Sequence, residues 1–223
     1  MSNKKLLYAL LTVFLVLLVD QWLKIYVKTN FFYNESRSVF GDWFTLNFVE
    51  NPGFAYGLEI PLMSKTAAKL TLSIFRVVAV GVIGVYLLQL IKKGISTGLI
   101  VSIALVFAGA VGNIVDSAVY GLIFSNSRGY HQIAEWVPFG EGYAGFLLGD
   151  VVDMLHFDLF TLELPIYGTF RFFAPVFNVA DFAISLGVGI ILVFQRKEFQ
   201  EQFFDKESSS QEEGTDSSTE PQS

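Results

Sequence analysis

The chain has 223 residues, 52% of them apolar and only 16% charged, with a mean hydropathy of +0.50. That balance excludes an ordinary soluble domain, and the lack of cysteine excludes a disulfide scaffold, a cysteine nucleophile and a cysteine-ligated metal. The net charge of −6 is local: residues 198–223 hold eight acids against Lys206, which leaves residues 1–197 close to neutral. No basic stripe and no Gly-rich phosphate loop points to nucleic acid.

Four apolar windows, about 6–27, 68–91, 96–122 and 173–195, reach the roughly 20 residues that a spanning helix needs. The first follows Lys4-Lys5 and runs on through VDQWLKIYV without a small-x-small cleavage site, so it reads as a retained helix. Segment 28–66 alternates through Phe44-Thr45-Leu46-Asn47-Phe48-Val49, the period of a half-buried strand, and predicts a small aromatic sheet on the membrane surface. In the third window AGAVG (Ala108 to Gly112) reads as a close helix-packing surface. Segment 124–171 reads as an irregular loop with a short strand or helix. The expected fold is therefore a membrane all-α domain with a small β element: four transmembrane helices, an outer-surface β-sheet cradle and a second outer loop. Residues 1–197 form that domain, and the Ser- and Glu-rich residues 198–223 predict a disordered cytoplasmic tail.

Lys and Arg are enriched in short cytoplasmic segments. Residues 1–5, 92–97 and 195–206 carry seven in 23 positions, whereas 28–66 and 124–171 carry five in 87. Both termini are thus expected in the cytoplasm. At about 1.5 Å per residue, Asp20 lies roughly 24 Å above Lys4, Arg76 roughly 24 Å above Lys92, and Asp181 roughly 22 Å above Arg196. Asp116 lies roughly 34 Å above Lys93 by the same arithmetic. Gln21, Lys24, Asn113 and Asn178 stand beside them. Any one of these residues reads equally well as an interhelical hydrogen-bond partner; their common depth in the outer half is what points to a site. His131 and His156 lack a companion at metal spacing, Trp22, Trp43 and Trp136 read as interface anchors, and Ser117 and Ser185 have no activating base nearby.

Five patches resemble the lipoprotein signal peptidases, the bacterial aspartic peptidases of the membrane. VDQWLK (19–24) is similar to the family's Asp-Gln-x-x-Lys patch, NPGFAYG (51–57) to Asn-x-Gly-x-Ala, AGAVGNIVDS (108–117) to Gly-Asn-x-x-Asp-Arg, DVVDM (150–154) to Val-Val-Asp, and FNVAD (177–181) to Phe-Asn-x-Ala-Asp. They occur in family order over about 10–195. The resemblance implies a catalytic pair at Asp153 and Asp181, with support from Asp20, Lys24, Asn51, Gly53, Asn113, Asp116 and Asn178. Two departures stand out. Ser117 occupies the position of the family's Arg, for which Arg76 or Arg128 are candidate substitutes. The stretch from Asp116 to Asp153 is also longer than the pattern, which brings Asp150 into consideration beside Asp153; Val151-Val152 favour the latter.

The resemblance further implies the substrate, a diacylglyceryl-modified prolipoprotein cut immediately before its lipidated cysteine. It places the protein in the bacterial inner membrane with its site near the outer face. Surrounding membrane lipid is expected as a partner, with a monomeric state and no metal, cofactor or nucleic acid. Two carboxylates suffice for such chemistry: one takes a proton from water while the other, protonated, polarises the carbonyl. The aromatic sheet at 40–56 and the loop at 124–150 are candidates to close over the site. A proton- or ion-coupled transporter using Asp20, Asp116 and Asp181 as a relay would require polar groups through the full depth, and the inner half has almost none. A non-enzymatic assembly subunit would use the carboxylates only to hold helices together. A Gly-x-Gly-Asp intramembrane protease is opposed by the spacing of GFLLGD (145–150).

Overall fold

The computed structural model describes residues 3–53, 64–129, 131–158, 160–164, 168–172 and 175–202. Helix α1 (Asn3–Asn30) leads into strands β1 (Ser36–Phe40) and β2 (Phe44–Asn51), followed by α2 (Lys65–Lys93) and α3 (Thr97–Val115). A π-helical turn, Asp116–Tyr120, and one last turn, α4 (Gly121–Ile123), complete the third span. Then come β3 (Val151–Phe157), a hairpin of β4 (Phe160–Leu164) and β5 (Gly168–Phe172), and α5 (Val179–Phe194).

Among the described residues three helices are long and apolar enough to cross a membrane: α1, α2 and the continuous Thr97–Ile123 segment. A fourth span arises if α5 is taken together with the short helix Arg196–Gln202, which turns away from it by 93°. Their outward faces carry Phe14, Leu18, Trp22, Phe75, Val82, Leu192 and Phe194, all exposed, as expected for side chains solvated by lipid. Helix α3 lies at the centre, packed against α5, α1 and α2. Its AGAVG run permits this: a Cβ on Gly109 would stand 2.2 Å from the Ala180 carbonyl oxygen, and one on Gly112 would stand 2.8 Å from Asp20 Oδ2. Close approach here is what brings α1, α3 and α5 to a common point.

Two boundaries differ from the sequence expectation. The fourth helix begins at Val179 rather than 173, because Asn178 forms an N-cap and capping box with Asp181. A short helix, Arg196–Gln202, also runs past 197, where Glu198 accepts the Ser96 N–H at 2.8 Å and the Ser96 hydroxyl at the start of α3. The rest of the acidic tail, 203–223, lies outside the described residues, as do residues 54–57 of the second patch.

The segment expected as an irregular loop with one short element supplies three strands. β3 joins β2 and β1 in an antiparallel sheet of order β1-β2-β3, with Val49 opposite Asp153 and Asn51 opposite Val151. The sheet carries a stacked aromatic group in which Phe44 and Phe157 lie 4.6 Å apart, flanked by Phe40, Trp43 and Phe177. Beneath it Val27, Phe31, Phe48, Tyr120, Phe124, Val152 and Met154 form a core separate from the one that joins α2, α3 and α5 at the other end. The candidate site lies on α1, α3, β2, β3 and α5, close to this sheet-side core. At the far end Lys5 donates to the Gly94 and Ile95 carbonyls (2.6 and 2.7 Å), and Lys93 donates to Gln202.

Candidate active site

Helix α1 places Asp20, Lys24 and Lys28 on one face by their four-residue spacing, and all three are buried. Lys24 Nζ pairs with Asp20 Oδ2 at 2.9 Å and with Asp116 Oδ2 at 2.8 Å. Each carboxylate also holds backbone of another element. Asp20 Oδ1 accepts the Ala180 N–H at 2.8 Å, and Asp116 Oδ2 accepts the Val152 N–H at 3.1 Å. Those are the residues directly before Asp181 and Asp153. Gln21 donates to Asp116 Oδ1 (2.9 Å) and accepts from the Tyr120 hydroxyl (3.1 Å), which completes the buried cluster.

Lysine only donates, so the proximity of Lys24 Nζ to Asn113 Oδ1 (3.0 Å) sets the orientation of that amide. Its Nδ2 is thereby turned to Asp181 Oδ1, at 2.8 Å. Asn178 is oriented by the same logic. Its Oδ1 accepts the Asp181 N–H as the helix cap (2.8 Å), and its Nδ2 donates to Asp153 Oδ1 (2.7 Å) and Asn113 Oδ1 (3.1 Å). Asn51, at the end of β2, donates to Asp153 Oδ2 at 3.1 Å and accepts the Gly53 N–H at 2.8 Å. The two carboxylates are thus joined by a pair of oriented amides. Burial first, and then the charge of Asp181, pushes the Asp153 carboxyl up to about 7, against the donations from Asn51 and Asn178.

All nine site residues expected from the sequence converge here. Asp150 does not: it is ion-paired to Lys69 at 2.5 Å and to Arg128 at 2.9 Å, three residues away on the opposite strand parity to Asp153. Arg128 is committed to Asp150 and to Glu50 (3.4 Å), which leaves Arg76 as the candidate cation beside the pair. Ser117 is buried in the π turn, donates to the Asn113 carbonyl, and has its own carbonyl bonded by the Gly149 N–H at 2.9 Å. The long loop thus lies directly over position 117.

A second buried network was not anticipated. Lys28 pairs with Glu50, and Ser127 donates to Glu50 at 2.7 Å. The Lys28 ammonium lies over the rings of Phe48, Phe124 and Tyr143, with centroids 4.9 to 5.8 Å away. The legible signal was Lys28 itself, next in the Asp20, Lys24 series on the same helix face. Its partner Glu50 comes from a distant strand.

The chain is thus an apolar helical bundle of the integral-membrane class in which two carboxylates, one on β3 and one on α5, are joined through amides. The sequence profile of the Signal peptidase (SPase) II family matches residues 12–196. A lipoprotein signal peptidase of Porphyromonas gingivalis is 45% identical over 186 residues, covering 80% of this chain and 78% of that one. One from Amoebophilus asiaticus is 33% identical, covering 84% and 77%. A solved bacterial membrane enzyme, 22% identical over 83% of this chain and 90% of its own, shares the fold with a TM-score of 0.54. The chain belongs to the signal peptidase II family. It is accordingly a membrane peptidase, a hydrolase of lipoprotein processing, and the transporter and assembly-subunit readings are not favoured.

Proposed function

We propose that Asp153 and Asp181 are the catalytic pair and that the chain cleaves diacylglyceryl-modified prolipoproteins immediately before the lipidated cysteine. The observation that carries this reading is the amide chain Asp153–Asn178–Asn113–Asp181, which holds two carboxylates of unlike environment at one place. Asp153, whose carboxyl stays protonated to about neutral pH, donates to the scissile carbonyl oxygen. Asp181, held rigidly in the first turn of α5, takes a proton from water as the water oxygen bonds to the carbonyl carbon. In the collapse of the tetrahedral intermediate the carbon–nitrogen bond breaks. Asp181 returns its proton to the leaving amine of the modified cysteine, and Asp153 recovers one from the intermediate's hydroxyl. The pair ends the cycle as it began.

Asp20, Lys24, Asp116, Asn113, Asn178, Asn51 and Gly53 act by placing these two groups. The protein works as a monomer among membrane lipid, with both termini in the cytoplasm and the pair near the outer face. The support for that orientation is the clustering of Lys4, Lys5, Lys92, Lys93, Arg196 and Lys197 at the bundle end away from the sheet.

The test is release of signal peptide from a purified diacylglyceryl prolipoprotein. Asp153→Asn and Asp181→Asn, each folded, should lose turnover by about 10²-fold or more, the order expected for removing a general acid or base. Wild-type rates from folded Asp181→Asn would end the two-carboxylate mechanism.

A further inference from the structure

Among the described residues, each cation near the pair has a carboxylate of its own except one. Lys24 is held between Asp20 and Asp116, Arg128 between Glu50 and Asp150, and Lys69 by Asp150. Arg76, half-buried on α2, makes no hydrogen bond or ion pair among the described residues. The charges of Asp181, Asp153 and Asp116 all reach it, in that order of strength. Its guanidinium lies instead against Gly53: a Cβ built there would stand 3.1 Å from Nη2 and 3.2 Å from Nη1. Gly53, at φ +89°, is tied by its N–H to Asn51, and Asn51 donates to Asp153. The unpaired fork therefore stands beside the turn that positions one member of the pair.

A half-buried guanidinium with donors to spare can offer them to the acceptors of a ligand. The neighbouring carboxylates disfavour an anion, so the acceptors are neutral. We propose that Arg76 is a substrate-binding residue that donates to carbonyl oxygens of the lipid-modified segment, either the peptide carbonyls at the scissile bond or the ester carbonyls of the diacylglyceryl group. This rests on the catalytic reading above for the position of the scissile bond. Planar donors of this geometry grip a carbonyl more specifically than an ammonium does, so Arg76 sets specificity as well as affinity.

The experiment measures binding apart from turnover. Dissociation constants for a diacylglyceryl lipopeptide and for its dialkyl-ether counterpart, which lacks the ester carbonyls, are compared in detergent for Asp153→Asn with and without Arg76→Gln. kcat and KM are measured for Arg76→Gln and Arg76→Lys in the otherwise native chain, with thermal midpoints alongside. Loss of the contact should weaken binding roughly 10- to 100-fold at an unchanged midpoint, with Arg76→Lys intermediate. If esters are the acceptors, the native preference for ester over ether disappears in Arg76→Gln. If peptide carbonyls are, both ligands lose equally. Unchanged binding of both ligands by folded Arg76→Gln overturns the proposal, and so does an effect confined to the pH profile of kcat. Full turnover by Asp153→Asn would instead remove the catalytic reading, while the binding comparison would still decide the role of Arg76.

Discussion

Asp116 Oδ2 accepts the backbone N–H of Val152 at 3.1 Å, so a carboxylate in the third span holds the strand residue directly before Asp153. The same oxygen lies 2.8 Å from Lys24. Asp116→Asn keeps an acceptor for Val152 and leaves Lys24 paired with Asp20, so measurable turnover should persist. Asp116→Leu leaves the Val152 N–H unsatisfied and Lys24 half-compensated. It should lower stability by about 3 kcal/mol or more and cut kcat at least tenfold. Thermal unfolding in detergent and cleavage assays on the two variants check this.

The pH dependence follows from Asp153. Its carboxyl is raised to about 7, so below that pH it is protonated and can donate to the scissile carbonyl. Above it Asp153 is ionised and the donor is gone, so kcat should fall as pH rises through about 7. Donation from Asn51 favours the ionised form, and Asn51→Leu should therefore move the decline to higher pH. A kcat–pH profile of the two proteins reads the sign directly.

Asp150 and Asp153 should separate by phenotype. Asp150 is paired with Lys69 and Arg128, both contacts made by side chains away from the amide chain. Asp150→Asn should reduce thermal stability and retain turnover per folded molecule within a few-fold, whereas folded Asp153→Asn should be inactive. The reverse pattern would exchange their roles.

The Lys28–Glu50 pair is sealed from water beneath aromatic rings. Lys28→Met leaves the Glu50 carboxylate only the longer Arg128 contact and the Ser127 hydroxyl, and the expected loss is about 3 kcal/mol. Glu50→Gln combined with Lys28→Met should recover much of it, because neither charge is then left alone. Denaturation midpoints of the three variants measure the coupling. Trimming residues 125–145 removes Ser127 and Arg128 from Glu50 and should destabilise the sheet as well as alter cleavage rates.

Membrane residence was legible in composition, and three of the four spans in uninterrupted apolar length, because hydrocarbon imposes its thickness on any helix that crosses it. The level of the site was legible too: Asp20, Asn113, Asp116 and Asp181 fall at comparable heights along their own helices, and helical rise is local. The strand around Phe44–Val49 showed through its two-residue period. By contrast, the start of α5 depended on a cap, Asn178, whose amide is shared between the Asp181 N–H of its own helix and Asp153 on β3. The strands after Asp150 carried no clean alternation that distinguished them from loop.

Between Asp150 and Asp153 the sequence offered one local signal, Val151-Val152 directly before Asp153. In the structure the two meet different strangers in sequence: Lys69 and Arg128 for one, Asn51 and Asn178 for the other. The same holds for Arg76 and Arg128, two arginines of equal promise until folding pairs one with Glu50 and Asp150. Sequence determines which groups a chain owns and how far along an axis each one sits. Their partners, and hence their charge state and chemistry, depend on lateral contacts between helices and strands, which arise only when the chain packs.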